Sequence, residues 1–380
     1  MDWLTGGRTG EAKRLIVQLS DATRRERAAQ DLIHIGADAA PAMIQALQTT
    51  DLSLLPLYRH ILVRIGSSAI SALTKALRET HPLIRAQICE ILGQIKDPAS
   101  VPALLDALRG EFYTVRAKAA SALGEIGDPQ AIQLLLTALK DKEDSVRVSA
   151  ALALGKFHNP ATFDEIANLL LDDPKIEVRQ AAARAFAETK DPQTLPYLMQ
   201  ALRDSFWWYE REQTANELLR AIEAIGPAAV DPLIEALSDS EGTVRKFAAR
   251  MLGVIGDERA IESLGMEIYD LHFDVGQAAA ESLACLGVSS LPVLKEALTH
   301  PEATIREHVV SVLGKIQHTS VAPLLIDALN DPERVVRKQA IQSLGELRDP
   351  RATHPLQEIA TNHADREMAA LAKQALQKIQ

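Results

Sequence analysis

The chain has 380 residues, and with 47% apolar and 24% charged residues it has the composition of a protein that can bury a large core. Its formal net charge of −10 argues against wholesale binding to nucleic acid or to an anionic membrane. No apolar run approaches the roughly 20 residues that a membrane span needs, and the first residues lack the layout of a secretory signal.

In chain order, one phrase recurs about every 31 residues. It reads VRAKAASALGEIGDP at 115–129, VRVSAALALGKFHNP at 146–160 and VRKQAIQSLGELRDP at 336–350. A fixed period of this length is typical of stacked repeats that form a solenoid. With weaker units at both ends, we predict about twelve repeats, in a single solenoid at residues 11–380 after a tail at residues 1–10.

Each repeat is predicted to hold two helices. The first opens with Asp-Pro, as at residues 97–98, because Asp is a good N-cap and Pro suits the first helical position. The second runs from Val-Arg to a glycine that can adopt the left-handed conformation, such as Gly127. A glycine inside that helix, such as Gly124, costs about 1 kcal/mol against alanine, so we expect close approach of a neighbouring helix there. The predicted fold is all-α, a right-handed α-α superhelix.

The pattern D-P-x-A with V-R-x-x-A-x-x-A-L-G-x-I-G resembles the short HEAT repeats of the phycobilisome-lyase (PBS lyase) type. Residues 11–380 carry it almost throughout. The resemblance implies the fold strongly and the function weakly, because such repeats serve scaffolds, chromophore lyases and a few enzymes.

The resemblance also implies that the recurring arginines are structural and pair with Asp residues near the turns, although an anion-binding ladder is the alternative. Gly276 stands where an eighth arginine would fall and indicates a departure in the ninth repeat. The predicted arginine ladder is Arg85, Arg116, Arg147, Arg179, Arg245, Arg306 and Arg337, and its candidate partners are Asp141, Asp144, Asp172, Asp204, Asp239 and Asp331.

Aromatic residues cluster at the turns between the two helices of a repeat. Successive helical positions turn by about 100°, so adjacent aromatics cannot all face one core, and exposed aromatics are typical of interface hot spots. The alternative is a local core over a helix that is four residues longer than usual. The candidate partner-binding residues are Phe112, Tyr113, Phe206, Trp207, Trp208, Tyr209, Arg211, His272 and Phe273.

The second helices should line the concave surface with residues one and five positions after each arginine. This face is of mixed charge, with an apolar dip, and not the basic wall expected of a DNA-wrapping glycosylase. The candidate groove residues are Val148, Leu152, Lys156, Arg184, Lys246 and Arg250.

The sequence gives little support for an enzymatic site. The chain has no Gly-rich phosphate loop, no Cys-x-x-Cys, no nucleophile elbow and no His-x-x-x-His pair. It also lacks the His-Glu dipeptides through which deoxyhypusine hydroxylase, on a related repeat, binds iron. We expect no catalytic residue, metal or cofactor, and Cys285 is predicted to be a small apolar filler. Cys89 lies about six repeats away, too far for a disulfide, which favours a reducing, cytoplasmic setting.

The leading interpretation is a non-catalytic, cytoplasmic, monomeric adaptor that binds another protein, in its concave groove or along the aromatic turn edge. The alternative, which the resemblance implies, is an E/F-type phycobilin lyase-like protein or chaperone that holds a bilin during its attachment to an antenna protein. Val148 and Leu152 would then supply an apolar shelf, and Lys156 and Arg184 would face the propionates.

Overall fold

The computed structural model of the chain describes residues 2–49, 51–204, 215–362 and 365–379. Across these residues the secondary structure is helical, without a strand, so the predicted all-α fold is confirmed. The chain divides into two compact units, Met1–Ala221 and Ile222–Gln380.

The first unit is a series of helix pairs. Its α-helices are α1 (Asp2–Gln18), α2 (Arg25–Ile35), α3 (Ala40–Ala46), α4 (Leu55–Ile65), α5 (Ile70–Glu79), α6 (Pro82–Ile95), α7 (Val101–Leu108), α8 (Tyr113–Ile126), α9 (Ile132–Ala138), α10 (Asp144–Gly155), α11 (Phe163–Asp172), α12 (Ile176–Thr189) and α13 (Leu195–Leu202), and α14 (Asn216–Ile225) crosses into the second unit. Helix α1 extends across the predicted boundary between tail and solenoid.

The second unit continues the same alternation. Its α-helices are α15 (Val230–Ala236), α16 (Gly242–Ile255), α17 (Ile261–Glu267), α18 (Phe273–Cys285), α19 (Leu291–Ala297), α20 (Ala303–Lys315), α21 (Ala322–Ala328), α22 (Arg334–Leu347), α23 (Thr353–Thr361) and α24 (Arg366–Ile379). The described ranges thus hold twelve successive helix pairs, the architecture of an α-α superhelix. None of their helices is both long and apolar enough to cross a membrane.

In the repeats that have an Asp-Pro pair, the pair opens a short 3-10 turn that leads into the first α-helix. The Asp97 carboxylate accepts a hydrogen bond from the Ala99 N–H at 2.9 Å, and Asp128 accepts one from Gln130 in the same way. The turn Pro98–Ser100 then continues directly into α7. Asp therefore caps the repeat as predicted, with one 3-10 turn before the α-helix.

Glycines inside the second helices mark where those helices touch. A Cβ atom on Gly124 of α8 would lie 2.7 Å from the Ala153 Cα of α10, and one on Gly93 would lie 2.8 Å from the Ala122 Cα. No side chain fits at such distances, so the predicted close approach is confirmed. At the end of α8, Gly127 has φ +73°, the left-handed stop that was expected.

The buried core lies between the two helix rows. Leu104, Leu123 and Leu154 are fully buried. Phe186 fills the core of α12, with its ring centroid 5.8 Å from that of Phe163. The candidate turn sites lie between the first and second helices of their repeats.

Candidate functional site

In several repeats an arginine in the first turn of the second helix is bound on two sides. The Arg306 Nε and Nη2 atoms donate to the Asp331 carboxylate of the next repeat at 2.8 and 2.9 Å. Its Nη1 atom donates to the carbonyls of His300 and Pro301, six and five residues earlier, at 2.7 and 2.9 Å. We call this binding site, which consists of two backbone carbonyls of the same repeat and one Asp carboxylate of the next repeat, the arginine slot.

The same slot recurs in other repeats. The carboxylate partners are Asp141 for Arg116, Asp173 for Arg147, Asp204 for Arg179 and Asp270 for Arg245. Two of the predicted partners differ: Asp173 pairs with Arg147, where Asp172 was a candidate, and the Asp144 carboxylate accepts from the Ser145 N–H. The Asp239 carbonyl accepts from Arg245.

Successive slots are linked through shared aspartates. The Asp141 carboxylate binds Arg116, while its carbonyl accepts from Arg147 at 2.9 Å. Asp331 is used in the same way, with its carboxylate on Arg306 and its carbonyl on Arg337 at 2.6 Å. Arg85 donates to backbone carbonyls, those of Thr80 and Arg78.

These ion pairs are shielded and remain charged. Hydrogen bonding from Arg306 holds the pKa of Asp331 below its ordinary value, although burial opposes that shift. Arg245 lowers the pKa of Asp270 to about 2 in the same way. Burial, with a hydrogen bond that protonated Glu267 donates to the Asp270 carboxylate, raises the pKa of Glu267 to about 7. The slots therefore hold structural ion pairs.

The ninth repeat departs from this arrangement at both ends of the slot. Gly276 replaces the arginine, and His300 replaces the following aspartate, because His300 accepts the Glu302 N–H at 3.1 Å as Asp331 accepts that of Glu333. A Cβ atom on Gly276 would lie 2.9 Å from the Ile268 carbonyl oxygen. Helices α17 and α18 are thus too close for any side chain at this position.

Two of the predicted aromatic sites lie at equivalent positions of their repeats. Tyr113 and Phe273 are the first residues of α8 and α18, each three positions before the arginine or its replacement. Tyr113 is 49% and Phe273 is 71% exposed, and Phe112 is 42% exposed. His272 is also exposed and is bonded to the Asp270 carboxylate through its N–H. The other predicted aromatic residues, Phe206, Trp207, Trp208 and Tyr209, and Arg211 beside them, lie outside the described residues.

Around Phe273 the turn carries further exposed apolar side chains. Leu271 is fully exposed, and Met266 and Tyr269 are exposed beside it. We call Met266, Tyr269, Leu271 and Phe273 the ninth-repeat patch. Exposed apolar groups gathered in this way are typical of interaction sites.

Cavities open at such turns in each unit. One of about 430 Å³ lies beside the ninth-repeat patch, with Gly276 at its wall and His300 and His308 among its lining residues. Cavities of about 540 and 270 Å³ lie on either side of Gly110, in the fourth and neighbouring repeats. The aromatic turn edge therefore has recesses as well as exposed rings.

The second-helix residues predicted to line a concave groove form a different kind of surface. Val148 and Leu152 are half-buried, and the cations among the candidates are tied to neighbours: Lys156 pairs with Glu125, and Lys246 lies 3.7 Å from the Asp274 carboxylate. Similar ion pairs join other second helices: Lys118 with Glu90, Lys315 with Glu281, and Lys338 with Glu367. Arg184 is exposed, and the guanidinium of Arg250, also exposed, lies 5.6 Å from the Phe247 ring centroid. Much of this charge thus stabilises the stacking of repeats.

The cysteines differ from each other. Cys89 is buried, and burial raises the pKa of its thiol to about 12, so it is inert. Cys285 is exposed, so its prediction as a buried filler is wrong; it lies at the end of α18, where the helix face turns outward. Within the described part of the chain, no group of three or more His, Cys, Asp or Glu side chains is placed to hold a metal ion.

Sequence reasoning missed Tyr269, Leu271, His300 and His308. The available signal was Gly276 together with the register of the aspartates, since His300 falls midway between Asp270 and Asp331. Gly276 and His300 belong to the same slot, and only the two replacements together indicate a cavity.

Comparison with solved structures finds large helical proteins. The karyopherin Kap121p, bound to the extreme C-terminus of the protein phosphatase Cdc14p, is 13% identical with a TM-score of 0.61, over 98% of this chain and 50% of the karyopherin. Kap95 in a complex with Nup1 is 14% identical with a TM-score of 0.57, over 98% of this chain and 60% of Kap95. The chain thus spans about half the length of these proteins, and the likeness speaks for the fold alone.

Human deoxyhypusine hydroxylase is 23% identical over 75% of this chain and 98% of the enzyme, with a TM-score of 0.31. No curated protein sequence matches the chain at a significant level. The family model for HEAT repeats matches residues 70–154, 135–219, 209–284 and 291–377, which together cover most of the sequence. With its paired helices and this coverage, the chain belongs to the HEAT-repeat family.

Proposed function

We propose that the protein is a non-catalytic scaffold that binds another protein along the aromatic turn edge. The observation that carries this proposal is the exposure of large apolar side chains at equivalent turns, Tyr113 in the fourth repeat and Phe273 in the ninth. Exposed aromatic anchors beside recesses are typical of the few residues that dominate an interface. HEAT repeats and the karyopherin-like fold support the same class of function.

We favour the turn edge over the concave groove as the binding surface, because cations of the groove are already paired with carboxylates. The groove cations Lys156 and Lys246 are engaged with carboxylates of neighbouring repeats. Removing such pairs to admit a ligand costs stacking contacts. The turn-edge rings Tyr113 and Phe273, by contrast, already face solvent, so a partner can cover them without displacing an internal contact. A cytoplasmic setting and a monomeric state are further parts of this proposal.

A selection of peptide ligands from a displayed random library, followed by affinity measurements on variants, tests this function. We expect the double variant Phe112→Ala with Tyr113→Ala to weaken the binding of peptides that contact the first unit by at least about tenfold. Hot-spot truncations cost about 2 kcal/mol or more. Arg184→Ala, on the concave face, is the matched control and should leave affinity within about twofold. All variants are compared by melting temperature.

Two outcomes contradict the proposal in different ways. If Arg184→Ala abolishes binding while the aromatic variants bind normally, the concave groove is the binding surface. If no saturable ligand is recovered with the folded protein, the scaffold function itself is wrong.

A further inference from the structure

The ninth repeat has residues at the two positions that supply the slot carbonyls in other repeats, but no arginine of its own. In the slot of Arg245 the carbonyls six and five residues earlier accept its guanidinium at 2.6 and 3.1 Å. Around Gly276 the same two positions belong to Asp270 and Leu271, which line the 430 Å³ cavity. A cavity of this volume is in the range of ligand pockets.

Gly276 supplies no side chain to this slot. A Cβ atom on Gly276 would lie 2.9 Å from the Ile268 carbonyl oxygen, so a side chain there requires a shift of the backbone. At the opposite side, His300 takes the place of the slot aspartate. Both members of the internal ion pair are therefore replaced, while the carbonyl positions stay.

Aromatic rings surround the cavity. The Tyr269 and His300 rings are stacked, with centroids 5.0 Å apart, and the Phe273 ring lies 6.3 Å from that of His308. A guanidinium is planar and stacks on aromatic faces, which contributes about 0.5–1 kcal/mol at exposed sites and more when desolvated.

His308 adds an acceptor. Its Nε2 atom is buried and has no hydrogen-bond partner among the described residues. Burial lowers the pKa of His308, so the ring is neutral at pH 7 and one of its nitrogens carries a lone pair. A buried acceptor left without a donor costs about 1–3 kcal/mol, which an N–H from a ligand would recover.

The charge of the lining also favours a cation. The described residues that line the cavity include the carboxylates of Asp270 and Glu302, and neither lysine nor arginine. Arg245 balances the charge of Asp270, and Glu302 leaves the rim negative. An anionic ligand would face this carboxylate without a cation in the lining.

We propose that the ninth-repeat cavity binds an arginine side chain of a partner protein, which occupies the place that the chain's own arginine occupies in other repeats. This inference rests on the proposed scaffold function and names the chemistry of one contact. The guanidinium stacks on the Phe273 and Tyr269 rings and donates to the slot carbonyls and to His308.

A methyl NMR titration of the full chain with Nα-acetyl-arginine N-methylamide tests this site, read at Ile305 and Leu271, which line it. We expect saturable shifts with a dissociation constant on the order of 1 mM, as for a single weak anchor. The capped citrulline and lysine analogues should bind at least about fivefold more weakly, because they lack the charge or the planar donor group.

Two variants separate this cavity from general charge effects. Phe273→Ala removes an exposed ring and should weaken the arginine probe at least about fivefold. Tyr113→Ala removes the equivalent ring of the fourth repeat, whose slot is occupied by Arg116, and should leave binding at the ninth repeat unchanged.

Equal binding of the citrulline and arginine probes, or unchanged binding in Phe273→Ala, would overturn the assignment. Free arginine binding more tightly than the capped probe would point to a small-molecule source and contradict a protein partner. If selected peptides bind the turn edge but the arginine probe does not bind, this site is wrong and the scaffold function stands. If the probe binds but no protein or peptide ligand does, the scaffold function fails.

Discussion

The Arg306 side chain joins two successive turns through four hydrogen bonds, two to Asp331 and two to carbonyls of its own repeat. Both side chains of the pair are about nine-tenths buried. We expect Arg306→Ala to lower the free energy of unfolding by about 3 kcal/mol, because it leaves the Asp331 carboxylate shielded and unpaired. Urea denaturation followed by circular dichroism measures this loss.

The control for this variant is an exposed ion pair of similar length. Arg78 lies 3.0 Å from the Asp106 carboxylate, and both are well exposed, so Arg78→Ala should change the stability by less than about 1 kcal/mol. Similar losses in both variants would mean that the buried slot contributes no more than a surface ion pair.

At this scale the sequence predicted the arginines better than their partners. The Val-Arg phrase marks the arginine positions, because the first turn of each second helix is fixed by helical periodicity. The choice between Asp172 and Asp173 depends on the length of α11, which runs to Asp172 and is longer than the equivalent helix α9, and neighbouring residues of the same type look alike in sequence. Cys285 was misplaced because the end of α18 leaves the buried face.

Among the helices, the contact between α8 and α10 depends on Gly124. A Cβ atom there would lie 2.7 Å from both the Cα and Cβ atoms of Ala153. We expect Gly124→Ala to destabilise the protein by about 1–2 kcal/mol, since overpacking costs about 1–3 kcal/mol and the gain in helix propensity offsets about 1. Thermal and urea unfolding of the variant measure the difference.

Gly10 provides the opposite case. It lies inside helix α1, and a Cβ atom there would meet no atom within 4 Å. Gly10→Ala should therefore raise the stability of this region by about 0.5–1 kcal/mol. If both alanine variants are stabilised, the close contact at Gly124 relaxes at little cost.

Helix pairing itself could be predicted from the sequence, because apolar periodicity, Asp-Pro starts and glycine stops recur in register. The cavity in the ninth repeat could not. It requires that Gly276 and His300 share one slot and that the Ile268 carbonyl approaches α18, which are long-range features of packing. The missing arginine alone indicated only that something differs there.

For the molecule as a whole, a repeat array responds to damage locally, because each repeat contacts only its neighbours. We expect Gly124→Ala to reduce amide hydrogen-exchange protection in α8 and α10 of the first unit. Protection of α22 and α24 in the second unit should stay within error of the unaltered protein. Exchange monitored by mass spectrometry distinguishes the two regions, and a uniform loss over both would show that the chain opens as one cooperative body.

The double use of Asp141 and Asp331 has a consequence for how such a chain changes in length. The carboxylate of each of these residues binds the arginine of one repeat, and its carbonyl binds the arginine of the next repeat. A segment that runs from one such Asp to the next therefore begins and ends with the same kind of linking residue. Duplicating or excising one of these segments leaves every remaining junction complete. The ninth unit, whose connectors are glycine and histidine, cannot be exchanged for another repeat without losing its cavity.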